Sequence, residues 1–173
     1  LHSEYSIVDG LTRIDAAVDR AAADAMPALA LTDLANLFGM VKFYKAARGK
    51  GVQPIVGCDV WITNDDDRDK PFRLLLLVKN RAGYLELCDL LTRAWLGNQH
   101  RGRAEIRAEW LDERETRDGL IALSGFQSGD IGCALENGND ALAELAGYGT
   151  SSDAHHLTAP SVDGQVDRKS TRL

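Results

Sequence analysis

An α/β fold is predicted by three features of the sequence. Apolar runs suited to buried strands recur at Ala28–Leu31, Pro54–Ile62, Phe72–Val78 and Gly119–Ser124. Segments with helical spacing of apolar residues follow most of them, and Gly, Pro and charged clusters punctuate the joins. Strands that are apolar throughout, each followed by a helix, imply a parallel sheet covered on both faces. An open doubly wound sheet and a barrel both satisfy that pattern.

In chain order, Ala16 to Ala25 reads as a helix, with Val18, Ala21, Ala22 and Ala25 at helical spacing and Pro27 ending it. Ala28–Leu31 is a short buried strand. From Leu37 to Ala47 helical spacing returns, with Met40, Val41 and Tyr44 on one face and Gly49 and Gly51 closing it. Pro54–Ile62 is a β-branched strand. A charged turn, Asn64 to Pro71, leads into the strand Phe72–Val78. Gly83 to Leu96 is an amphipathic helix with an apolar stripe of Leu87, Leu90, Leu91, Ala94 and Trp95. The Arg101-Gly102-Arg103 stretch reads as a solvated loop rather than a phosphate contact. Gly119–Ser124 is a strand, and Gly129 to Leu135 is helical.

The 173 residues, 45% hydrophobic and 27% charged, suit one globular domain with a core. No apolar run approaches the roughly 20 residues that span a bilayer, so no membrane partner is expected. Cys58, Cys88 and Cys133 form no CxxC pair, which points away from a zinc ribbon and toward a reducing cytoplasm. A net charge of −6 argues against a free-standing DNA-binding module. The chain begins at Leu1 without methionine and reads as a piece of a longer protein.

Two blocks carry the chemistry. His2-Ser3-Glu4-Tyr5-Ser6-Ile7-Val8-Asp9-Gly10 and Leu31-Thr32-Asp33-Leu34-Ala35-Asn36-Leu37-Phe38-Gly39 each set candidate ligands where an apolar segment gives way to a turn. Taken singly, His2 is an exposed or capped histidine, Asp9-Gly10 a turn and Asp33 a helix cap. Taken in order, with Gly39-Met40-Val41-Lys42-Phe43-Tyr44 and Lys79-Asn80-Arg81-Ala82-Gly83-Tyr84, they resemble a known family. This is the polymerase and histidinol phosphatase (PHP) domain that opens bacterial replicative DNA polymerase III alpha subunits. The resemblance covers residues 1 to about 142, and it implies roughly the first half of an irregular (β/α)7 barrel.

Metal-binding members of that family are implied to hold divalent metals through His and carboxylate ligands and to activate a bound water. In this chain His2 matches the second His of the opening pair, and Asp9 matches a retained carboxylate. Asp59 stands where Glu is usual. Leu34 stands where the family's Thr-Asp-His has its His, Arg73 where another His is found, and Phe126 where the Leu-Ser-Gly-x turn carries Cys. The resemblance therefore implies a vestigial site of His2, Asp9 and Asp59, with ligands lost at Leu34, Arg73 and Phe126. Arg73 is expected near Asp9 or Asp59, as an ion pair in the space a cation would fill. No catalytic residue and no cofactor is expected here.

The resemblance implies Mg²⁺ for the parent polymerase, whose palm domain is not in this chain. It also implies three partners: the remainder of the alpha subunit, a separate proofreading exonuclease subunit, and DNA met through the parent. The rival is a free-standing metal-dependent phosphoesterase using His2, Asp9, Asp33 and Asp59. The segment 143–164 resembles instead a stretch of β-ketoacyl-acyl-carrier-protein synthases, Gly147-Tyr148-Gly149-Thr150-Ser151-Ser152-Asp153-Ala154. Residues 143–173 are thus expected to be an unstructured or chimeric tail, joined near Ala141 to Glu144, and too poor in apolar residues to fold alone.

Overall fold

The computed structural model describes residues 1–112 and 119–136, apart from the side chains of residues 112, 126, 135 and 136. The expected tail, 143–173, and its expected junction lie outside the described residues. The four helices described are α1 (Ile14–Ala23), α2 (Met40–Gly49), α3 (Arg81–Gly97) and α4 (Asp130–Glu136). The six strands among the described residues are β1 (Ala28–Leu31), β2 (Gln53–Ile62), β3 (Phe72–Val78), β4 (Gln99–His100), β5 (Arg103–Ile106) and β6 (Leu120–Ser124). Among the described residues no helix is long and apolar enough to cross a membrane.

The strands form one sheet in the order β4-β5-β2-β3-β6, with β1 also on β2. The fold is α/β, but the sheet is mixed rather than parallel throughout. β1 and β5 run parallel to β2, whereas β3 is antiparallel to both β2 and β6. The physical reason lies in the Ile62 to Phe72 link, which carries no helix. A parallel crossover takes a dozen or more residues, so the chain can only return as a hairpin.

Two apolar cores flank β2. One face of the sheet presents Cys58, Val60, Leu76 and Ile106 to Leu87, Leu90 and Ala94 of α3. The second core joins Ile14 and Val18 of α1, Leu31 of β1, and Phe43 and Ala47 of α2. The expected α2 face is corrected here: Val41 and Tyr44 point outward, 57% and 47% exposed, while Phe43 and Ala47 turn in. Periodicity fixes which residues share a face but not which face meets the core, and the bulkier Phe43 wins. Trp95, placed in the α3 stripe, is 39% exposed and uses its indole N–H to reach the carbonyl of Ala35 at 2.9 Å.

The Lys79–Tyr84 block has a local explanation. Asn80 caps α3, its side chain accepting from the Gly83 N–H at 3.0 Å. Gly83 lies against Gly119 at the entry to β6, where a Cβ would stand 1.8 Å from the Gly119 carbonyl oxygen. The Arg101-Gly102 stretch is the turn of a tight hairpin between β4 and β5, both residues having positive φ, 48° and 79°. It is therefore ordered structure, and its arginines are paired: Arg101 with Asp69 at 2.9 Å, Arg103 with the Arg68 carbonyl at 2.8 Å.

Candidate functional site

The first block is stitched to the second by its serines. Ser3, fully buried, donates its backbone N–H to Asp33 Oδ1 at 2.6 Å and its hydroxyl to Asp33 Oδ2 at 2.8 Å. Ser6 donates its hydroxyl to Asp9 Oδ1 at 2.6 Å and accepts the Leu34 N–H at 2.9 Å. Asn36 donates to the Tyr5 carbonyl at 3.1 Å. Between these anchors the chain makes a 3-10 turn, Glu4–Ser6, and then bends sharply at Ile7, whose φ is +47°. That bend returns Asp9 toward His2.

His2 lies between two carboxylates. Its Nδ1 is 3.0 Å from Asp9 Oδ2 and its Nε2 is 3.4 Å from Asp59 Oδ2. Each ring nitrogen of His2 thus faces one carboxylate oxygen. Asp59 reaches this point because β2 runs beside the second block, Ala35 donating to the Asp59 carbonyl at 2.8 Å and Leu34 bridging Asp59.

Arg73 closes the cluster from β3. Its Nε donates to Asp59 Oδ1 at 3.0 Å, a terminal nitrogen binds Asp59 Oδ2, and the same nitrogen stands 3.9 Å from Asp9. The guanidinium also stacks on Trp61, 4.3 Å from the ring centroid. Gly125 holds the β6 exit against this strand, donating its N–H to the Arg73 carbonyl at 3.1 Å. Burial alone would raise the pKa of Asp9. The hydroxyl of Ser6, the ring of His2 and the charge of Arg73 together outweigh that and hold it below the usual carboxylate range.

The structure therefore brings His2, Asp9, Asp59 and Arg73 into one cluster and puts Leu34 at its edge. Phe126 begins a 3-10 turn after β6, and its side chain lies outside the described residues. Asp33 stands apart: it is 1% exposed and both its oxygens are used by Ser3. The donor set does not fit a divalent cation. Both ring nitrogens of His2 face carboxylates, both oxygens of Asp59 face the guanidinium, and Leu34 offers no lone pair. Among the described residues no group of three His, Cys, Asp or Glu is arranged to hold a metal ion.

Ser3, Ser6 and Trp61 were not legible as site residues from motif matching. Strand alternation gives a signal for Trp61, which follows Asp59 by two residues and shares its face.

A profile of the PHP domain matches residues 1–150. The chain belongs to the PHP-domain family. This PHP chain is 48% identical over 149 residues to the DNA polymerase III subunit alpha of Neisseria meningitidis serogroup A, covering 84% of the chain and 13% of that relative. It is 39% identical over 172 residues to the DNA polymerase III subunit alpha of Vibrio cholerae serotype O1, covering 98% of the chain and 15% of that relative. It thus spans only about one-seventh of the length of the curated relatives it matches. Among solved structures, an amidohydrolase from Chromobacterium violaceum superimposes at a TM-score of 0.42 with 26% identity, covering 54% of this chain and 31% of that one.

Proposed function

We propose that this PHP chain is part of the alpha subunit of a bacterial replicative DNA polymerase III, acting in DNA replication, and that its centre is an ion-paired scaffold rather than a metal site. The observation that carries the reading is Arg73. Its planar fork takes both oxygens of Asp59 and stands beside Asp9, at the place where two carboxylates and a histidine converge. The guanidinium neutralises charge that would otherwise repel across the cluster, and it does so without an exchangeable ion. His2 adds a second positive group when protonated. The lost ligand positions are Leu34, Arg73 and Phe126, and the vestigial ones are His2, Asp9 and Asp59.

In this reading templated nucleotide addition, with its Mg²⁺, belongs to other parts of the parent protein, and DNA is met there. The scaffold's partners are the rest of the alpha subunit and a separate proofreading exonuclease, in the cytoplasm. The net charge of −6 supports assigning DNA contact to the parent.

The test is metal loading with activity. The purified chain is equilibrated with Zn²⁺ or Mn²⁺, desalted, and assayed for bound metal, phosphoester hydrolysis and primer extension. Substoichiometric metal and neither activity are expected. One tightly held metal per chain, with hydrolysis abolished by Asp9→Asn, would replace the scaffold with a phosphoesterase; primer extension by this chain would overturn the assignment of polymerisation to the rest of the parent.

A further inference from the structure

Trp61 stands where two polar networks meet. Arg73, the closing residue of the carboxylate cluster, lies 4.3 Å from the indole centroid, and Arg103 lies 5.8 Å from it. Both are within the roughly 6 Å reach of a cation–π contact. Backbone register explains the meeting. Trp61 pairs with Arg73 across β2 and β3 and with Glu105 across β2 and β5. Alternation then sets Asp59, Trp61, Arg73, Arg103 and Glu105 on one face of the sheet.

The second network pins the loop of residues 64–71. Arg103 donates to the carbonyl of Arg68 at 2.8 Å, and Arg68 donates to Glu105 at 2.9 Å and to Asn98 at 3.1 Å. Glu105 is fully buried, so this anchor is firm. Asp69 is held in turn by His100 at 2.8 Å and Arg101 at 2.9 Å. The same loop forms one wall of an open cleft of about 660 Å³, whose lining also includes Trp61, Arg73 and Arg103.

We propose that the Arg73–Trp61–Arg103 stack couples the carboxylate cluster to the 64–71 loop, so that whatever holds Arg73 on Asp59 also holds the wall of the cleft. The coupling runs through shared contacts. The backbone of Trp61 is fixed by ladders on both sides, leaving its side chain as the adjustable part. When Arg73 leaves Asp59 it changes its seat on the indole, and an indole that moves alters the support of Arg103. Arg103 ends on a backbone oxygen of the loop, so the displacement is delivered to the main chain. Such coupling is reciprocal: a molecule seated in the cleft against Arg103 would alter the grip of Arg73 on Asp59. The device goes beyond the scaffold reading and is independent of which partners the parent has.

Amide hydrogen exchange in the 173-residue chain tests it. The reporters are the N–H groups of Asp66 and Asp69, bonded to the side chains of Asn64 at 3.1 Å and Asp67 at 3.0 Å, and that of Lys70, bonded to the Asp67 carbonyl at 2.9 Å. Asp59→Asn, which loosens Arg73, is expected to raise their exchange about two- to fivefold, the factor that one cation–π contact supplies. In a Trp61→Leu background the same substitution is expected to add nothing, while Trp61→Phe, which keeps a ring, preserves the response. An unchanged loop in Asp59→Asn, or an equal rise with and without Trp61, would overturn the proposal. Should Asp59→Asn unfold the chain, Arg73→Lys tests the same link with the same two outcomes, since it keeps the charge but loses the planar fork.

Discussion

Replacing Arg73 by methionine removes the guanidinium while keeping much of its aliphatic bulk. The side chains of Arg73 and Asp59 are 19% and 18% exposed, so the pair is mostly, but not wholly, out of water. Stripping one partner from a fully buried pair costs about 3–5 kcal/mol, because the other charge is left uncompensated. Here residual solvent access and His2, 3.4 Å from Asp59, offset part of that. The lost stack on Trp61 adds about 0.5–1 kcal/mol. The expected destabilisation is about 2–3 kcal/mol, which at a slope of about 2 kcal/mol per molar urea lowers the midpoint by about 1–1.5 M. Urea unfolding followed by far-UV circular dichroism measures it. The paired change Asp59→Leu with Arg73→Met should cost much less than the two single changes summed, since an apolar pair leaves no stranded charge. A midpoint shift under about 0.2 M for Arg73→Met, or simple additivity of the two changes, would refute the view that the pair holds this centre together.

Three further outcomes are expected. Gly83→Ala should destabilise by about 1–3 kcal/mol despite the better helix propensity of alanine, which is worth only about 1 kcal/mol, because its Cβ would meet the Gly119 carbonyl oxygen at 1.8 Å; thermal melts of the variant check this. Burial pushes the Cys58 thiol up, well out of the range where thiolate forms, so native protein should titrate with a thiol reagent at Cys88 and Cys133 and release Cys58 only on unfolding. The lowered pKa of Asp9 gives stability that is fully present above its unfolded value of about 3.9 and is lost as pH falls through the folded value, so Asp9→Asn should flatten the acid limb of a stability–pH profile below about pH 4.

The strands were legible because each is an uninterrupted apolar run with clear punctuation, and β1, β2, β3 and β6 fall within a residue of their expected bounds. Strand direction was not legible from the alternation of elements, although the helix-free link after Ile62 already contained the reason for the hairpin. β4 and β5 escaped because they are two and four residues long and carry the charges of a surface loop. Their inward pull comes from Glu105, whose burial depends on Arg68 thirty-seven positions earlier, a pairing no local pattern encodes. In the cluster, His2, Asp9, Asp59 and Arg73 could be read by matching positions to a family. Ser3 and Ser6 could not, since a serine advertises no partner and these two find theirs about thirty residues away.

β2 runs from the edge of one apolar core into the other. Its first half is laddered to β1, which carries Leu31 into the core of α1 and α2, and its second half sends Cys58, Val60 and Ile62 into the core of α3. A single ten-residue strand therefore lines one hydrophobic compartment and, through β1, is bonded to the edge of the other. Were the strand to peel away, the α3 compartment would lose Cys58, Val60 and Ile62, and β1 would lose its ladder partner. The ladder to β1 spans residues 53–56 and the buried residues of the α3 core begin at Cys58, so the strand passes from one neighbourhood to the other within its own length. A cut near Gly57 would leave the buried residues of the α1–α2 core all before it and those of the α3 core all after it, so the strand is the covalent seam between two separately composed cores.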